Sequence, residues 1–225
     1  DLGTITGGGL TGFGLVIIVT SLVADKIGYG KLMCAAFVLH FVSAVLTLAT
    51  PAFFASGGTD SAYWCLFVAM FIFAIGNGIA EAVVNPLTAT LFPNQQTHYL
   101  NILHAGWPAG LVLGSVASAF MAARVDASGA VISAAVSWQI QMLLFLIPVV
   151  AYGVLLLGQK FPRSEAAVAG VTLKQMLKTI FVPLMFVLLL IQAMVGYVEL
   201  GTDSWISKIT GSIMASPTKG LVLFS

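Results

Sequence analysis

Apolar residues in this chain come in long uninterrupted runs, not in the strict alternation of half-buried strands. Six runs stand out, over 6–23, 32–54, 62–92, 100–122, 137–158 and 180–206, and a seventh begins near 219. Each is close to the ~20 residues that an α-helix needs to cross a bilayer core of about 30 Å. The third is long enough to tilt or to project beyond the bilayer. The connections fall at 24–31, 55–61, 93–99, 123–136, 159–179 and 207–218. The pattern predicts an all-α, polytopic helical membrane protein with about six complete spans.

Composition agrees. The 225 residues are 59% hydrophobic and only 8% charged, and mean hydropathy is +1.04. A soluble domain carries about 25% charged residues. The net charge of +1 gives no reason to expect a nucleic-acid partner; the lipid bilayer is the expected partner. If the connections alternate sides, the first, third and fifth hold Lys26, Lys31, Lys160, Arg163, Lys174 and Lys178. The others hold Arg124 and Lys208, with Lys219 at the next boundary. Six basic residues against three put the first set in the cytoplasm by the positive-inside rule, and residue 1 outside. Cys34 and Cys65 both sit in apolar runs, where free cysteine behaves as a small hydrophobe. Neither a disulfide nor a metal site is expected, and no cofactor. Because residue 1 is Asp and the last apolar run stops abruptly, the sequence reads as an internal stretch of a longer chain.

One charge lies inside the third run, AYWCLFVAMFIFAIGNGIAEAVVNPLTATLF: Glu81. A charged residue at membrane depth costs about 2.5–3.5 kcal/mol on insertion scales, and such residues usually face a cavity and handle protons, ions or substrate. Asn77 and Asn85 lie one turn to either side and share its helix face. Pro86 removes a helical hydrogen bond and can kink the helix there. Glu81 is thus a candidate proton carrier with Asn77 and Asn85 beside it. The competing reading is a paired structural carboxylate that never exchanges its proton.

Other polar residues are weighed in the same way. Gly106, Gly110, Gly114 and Ser118 recur every four residues, the spacing of a close helix–helix contact; a second glycine cluster, GGGLTGFG, lies in the first run. His104 and Trp107 share a face of the fourth run and suit a sugar, with Trp stacking and His bonding hydroxyls; core packing suits them equally. His40, alone in the second run, reads as a satisfied structural histidine. In the sixth, IQAMVGYVELGTDSWISK, Gln192, Tyr197 and Glu199 are polar positions near its outer end, with Gln192 and Glu199 seven apart on one face. Asp203, Trp205 and Lys208 read as an interfacial helix end. The 159–179 connection, containing VTLKQMLKT, reads either as a short amphipathic surface piece or as a solvated loop.

The first cytoplasmic turn is LVADKIGYGK. Gly28 and Gly30 allow a tight reversal, Asp25 can accept from a helix N-terminus or a basic residue, and Lys26 and Lys31 hold the turn in the cytoplasm. It resembles the loop 2–3 signature of the major facilitator superfamily, with Ser21 in place of the first glycine and Gly30 in place of a basic residue. The resemblance implies a twelve-helix transporter fold of which this chain covers helices two to seven and the start of eight. The domains would then be an N-terminal bundle over 1–158, a central cytoplasmic loop over 159–179, and the start of a C-terminal bundle over 180–225.

GNGIAEAVVNPLTATLFP followed by LNILHAGWPAG is similar to the fucose:proton symporter-type sugar family, whose fourth helix carries Glu-x-x-x-Asn-Pro, here Glu81, Asn85 and Pro86. Asn101 and Gly110 match its following stretch; His104 and Trp107 replace a glutamine and an asparagine. The resemblance implies proton coupling at Glu81, a small polar solute of the monosaccharide class, a proton gradient as driving force, a monomer, and the cell (inner) membrane. Asn77, Asn85, His104, Trp107, Gln192, Tyr197 and Glu199 would line the path; Asp25, Lys26, Gly28 and Lys31 would form the loop signature. Uniport or efflux of another solute competes. A water channel would need a second Asn-Pro motif to face Asn85–Pro86, and none occurs. His40, His98 and His104 have no catalytic or ligand spacing, which disfavours an enzyme.

Overall fold

The computed structural model describes residues 2–122, 124–125 and 131–214. Helix α1 (Leu2–Ile27) stops at Gly28, which takes φ 89° and ψ 144°. That region of backbone space is essentially restricted to glycine, so Gly28 makes a reversal in one residue. Helix α2 (Tyr29–Leu91) starts immediately after it.

The 63 residues of α2 do not form one rod. Gly58 lies inside it at φ 68° and ψ −157°, and the helix doubles back there. The side chains prove the reversal. His40 Nε2 lies 3.0 Å from Asn77 Oδ1, whereas in a straight helix these residues would be about 55 Å apart at 1.5 Å per residue. Thr50 pairs with Cys65 nearer the bend. Leu32 and Val83 meet farther from it, in a core with Ala24 and Tyr29. The predicted spans over 32–54 and 62–92 are therefore the two arms of this hairpin. The connection predicted over 55–61 does hold the reversal, at the single residue Gly58, with helix running up to it and onward from it. Pro86 sits within helix, and the non-helical backbone inside α2 is at Gly58.

Helix α3 (Gln96–Met121) follows a short turn in which Phe92 and Tyr99 stack with ring centroids 3.7 Å apart. The predicted connection over 123–136 contains a small antiparallel ladder, strand β1 (Arg124–Val125) against β2 (Val131–Ser133). Helix α4 (Trp138–Leu156) falls on the fifth predicted span. The 159–179 connection is partly helical, with α5 (Glu165–Val168) and α6 (Leu173–Ile180). A capping box between Thr172 and Gln175 starts α6, satisfying two orphan N-terminal donors. Leu173, Met176, Leu177 and Ile180 recur along it with Lys174 and Lys178 between them, and none is buried, so the amphipathic reading holds. Helix α7 (Pro183–Ile213) begins with proline in its first turn, where the missing N–H has no partner to lose. The run near 219 lies outside the described residues.

The chain forms two compact units, Asp1–Leu103 with Ser137–Gly170, and His104–Val136 with Val171–Ser225. In the first, α1 and α4 both pack on α2. Their approach is set by glycine. A methyl on Gly78 would lie 2.9 Å from the Phe13 carbonyl oxygen, and one on Gly153 would lie 2.3 Å from the Phe37 ring. Gly9 and Gly12 of the first-run cluster face Met70 and Phe71. Close packing is therefore built here and not at the predicted stripe: a methyl on Gly106, Gly110 or Gly114 would meet nothing within 4 Å. Among the described residues, α2, α3 and α4 are long and apolar enough to cross a membrane, and α6 with the first part of α7 makes a fourth candidate if that pair, bent by 75°, is one span. Helix α1, about 39 Å long, has the reach of a span as well.

Candidate functional site

The second arm of α2 positions three polar residues at helical spacing. Asn85 Nδ2 donates to Glu81 Oε1 at 2.8 Å, so these two of the predicted residues are in direct contact. Asn85 Oδ1 is buried without a partner, alone in that respect among the buried side-chain atoms of the described residues. An orphaned buried acceptor costs about 1–3 kcal/mol. No cation lies within salt-bridge distance of Glu81 among the described residues. Asn77, one turn away, points its carbonyl oxygen at His40 instead. The first arm and α4 therefore join this face: His40 Nδ1 lies 2.7 Å from the Tyr152 hydroxyl. His40 is a satisfied histidine, as its isolation in an apolar run suggests; both partners are far away in sequence, beyond the reach of local spacing.

The turn signature forms a second locus in the same unit. Asp25, half-buried at the end of α1, accepts from the Ser164 hydroxyl. Ser164 itself caps α5, accepting from Ala167 N at 3.1 Å. Against the expected helix N-terminus or basic residue, the partner of Asp25 is the side-chain hydroxyl of the residue that caps α5. Gly28 supplies the reversal, but Gly30 has another role. Its backbone is helical, and a methyl there would sit 2.8 Å from the Phe161 ring. Phe161 also packs against the core of Ala24, Tyr29, Leu32 and Val83. Lys26 and Lys31 are exposed. An open pocket of about 420 Å³ lies here, lined in part by Asp25, Lys31, Phe161 and Arg163. Sequence reasoning missed Phe161 and Ser164; the FPRSE stretch gave a signal, an aromatic and a capping residue inside a polar linker.

His104 and Trp107 belong to the second unit. Both are exposed on α3, Trp107 at 53%. Gln192, Tyr197 and Glu199 are exposed on α7. The side chain of Asp203 lies outside the described residues. Among the described residues no three His, Cys, Asp or Glu side chains gather as a metal site. The two cysteines are free, Cys34 exposed and Cys65 buried.

No curated protein and no solved structure matches the chain. A family model described as Major Facilitator Superfamily matches residues 1–224. Its members are secondary transporters of small solutes, not enzymes. With apolar helices of spanning length, a glycine-turned signature between α1 and α2 and a match over nearly all of its length, this chain belongs to the Major Facilitator Superfamily and is a multi-pass membrane protein.

Proposed function

We propose that the transporter carries a small polar solute of the monosaccharide class together with a proton, and that Glu81 carries the proton. The observation that supports this is the environment of Glu81: a carboxyl group in a membrane-spanning arm, bonded by one amide and facing no cation among the described residues. A structural acid would be expected to have a cationic partner. A carboxyl group held by an amide alone can gain and lose a proton without breaking an ion pair. Asn77, Asn85, His104, Trp107, Gln192, Tyr197 and Glu199 line the solute path in this reading. Residues 1–158 form the N-terminal bundle, 159–179 the central loop, and 180–225 the start of the second bundle. Two bundles rocking about a midplane site would then give alternating access.

The test is uptake of labelled monosaccharides into vesicles under an imposed inward proton gradient. Wild type should concentrate a sugar, and Glu81→Gln should only equilibrate it, losing about tenfold or more in accumulation. A Glu81→Gln variant that concentrates sugar as wild type does would exclude Glu81 as the carrier.

A further inference from the structure

Beside Glu81 lies a three-residue relay that carries no formal charge of its own. His40 is 7% exposed. Around it are Phe73, Phe145 and Tyr152, with centroids 5.4, 6.5 and 6.0 Å from its own. Gly76 leaves its edge free, since a methyl there would lie 2.8 Å from His40 Cδ2. Both ring nitrogens are engaged, Nδ1 with the Tyr152 hydroxyl at 2.7 Å and Nε2 with Asn77 Oδ1 at 3.0 Å.

The chemistry of the groups fixes the direction of each bond. An amide oxygen only accepts, so Nε2 must carry the hydrogen. A neutral imidazole then has a bare Nδ1, and the Tyr152 hydroxyl must donate to it. The proton order runs from Tyr152 O–H to His40 Nδ1, and from His40 Nε2–H to Asn77 Oδ1. With its oxygen held, Asn77 keeps its amide N–H₂ free. That nitrogen has no hydrogen-bond partner among the described residues, and Asn77 itself is only part-buried. Glu81 is likewise part-buried, and its Oε1 takes the Asn85 amide while Oε2 has no partner among the described residues.

We infer that Tyr152 and His40 are positioning residues that lock the Asn77 amide, so that a solute meets an N–H donor one helical turn from a carboxyl acceptor. This rests on the reading of the Asn77–Glu81 face as the solute and proton site. The class it selects is a polyhydroxylated solute: one hydroxyl, or two neighbouring ones, accepts from Asn77 and donates to Glu81. Removing the Tyr152 hydroxyl frees His40 to carry its hydrogen on Nδ1. Asn77 then loses the donor that holds its oxygen and can turn the wrong end to the solute.

Two measurements decide the point. The first is nitrogen NMR of ¹⁵N-histidine-labelled protein in nanodiscs, with the His40 signals assigned by their loss in His40→Gln. Wild type should show a hydrogen on Nε2 and a bare, hydrogen-bonded Nδ1; Tyr152→Phe should lose the Nδ1 hydrogen bond and gain the other tautomer. A charged ring, or hydrogen on Nδ1 in wild type, overturns the relay. The second is monosaccharide uptake kinetics. Tyr152→Phe should raise KM about tenfold with Vmax within about twofold and proton-driven accumulation retained. Asn77→Asp, which replaces the presented donor with an acceptor, should raise KM likewise. Wild-type KM in either variant, or a fall in Vmax alone, overturns the positioning role. If wild type moves none of the sugars, the symporter reading fails, while the NMR still decides the relay.

Discussion

Gly28 and Gly58 hold backbone angles that a side chain would strain, and each lies at a chain reversal. Conformations of this kind cost about 1–3 kcal/mol in a residue with a Cβ. Gly28→Ala should therefore destabilise the protein by that amount, read as a lower thermal midpoint in detergent, whereas Gly14→Ala, mid-helix in α1 with no atom within 4 Å, should not lower it. Glu81 shows the other side of the residue scale. Its place in an apolar run was legible in the sequence, and so was its alignment with Asn85. The orphaned Asn85 oxygen was not, because it depends on what the surrounding helices fail to offer. Nor was the bond between Asp25 and Ser164, whose partners are 139 positions apart.

Helices were legible because a bilayer demands continuous apolar length, and that demand leaves its mark in hydropathy. Their junctions were less so. The 55–61 connection, with Gly57, Gly58, Thr59 and Asp60, falls where the chain reverses, but its brevity was not legible: helical backbone needs only one non-helical residue to reverse. The packing of glycine was also misplaced. Small-residue spacing at Gly106 to Gly114 marks a surface fit for close approach, but a contact needs a facing helix, and the facing helices meet Gly9, Gly12, Gly78 and Gly153 instead. The hairpin itself can be tested by a cross-link. Thr50 Oγ1 and Cys65 Sγ are 3.7 Å apart, so Thr50→Cys should form an intramolecular disulfide with native Cys65 on mild oxidation. Failure to form it in folded protein would place the two arms apart.

Across the whole molecule, large apolar side chains stand exposed: Leu113 and Phe120 at 72%, Leu155 at 71%, Phe181 at 82%. In water such a surface would aggregate; in lipid it is the solvent-facing side. Charge supplies the orientation. In a background with Cys34 and Cys65 replaced by alanine, Lys160→Cys should react with an impermeant maleimide only from the cytoplasmic side, and Asp60→Cys only from outside. The reverse result would invert the assigned topology.

The reversal at Gly58 also bears on how the protein reaches its membrane. Because a single residue makes the reversal, the two arms have almost no slack between them, and the position of one in the bilayer constrains the other. With the basic connections inside, the tip that crosses is Gly57, Gly58, Thr59 and Asp60, with no lysine or arginine among them. Positive charge is what resists passage, and acidic residues resist it little. The same short tip that makes a tight bend in the finished fold thus makes a light cargo during insertion.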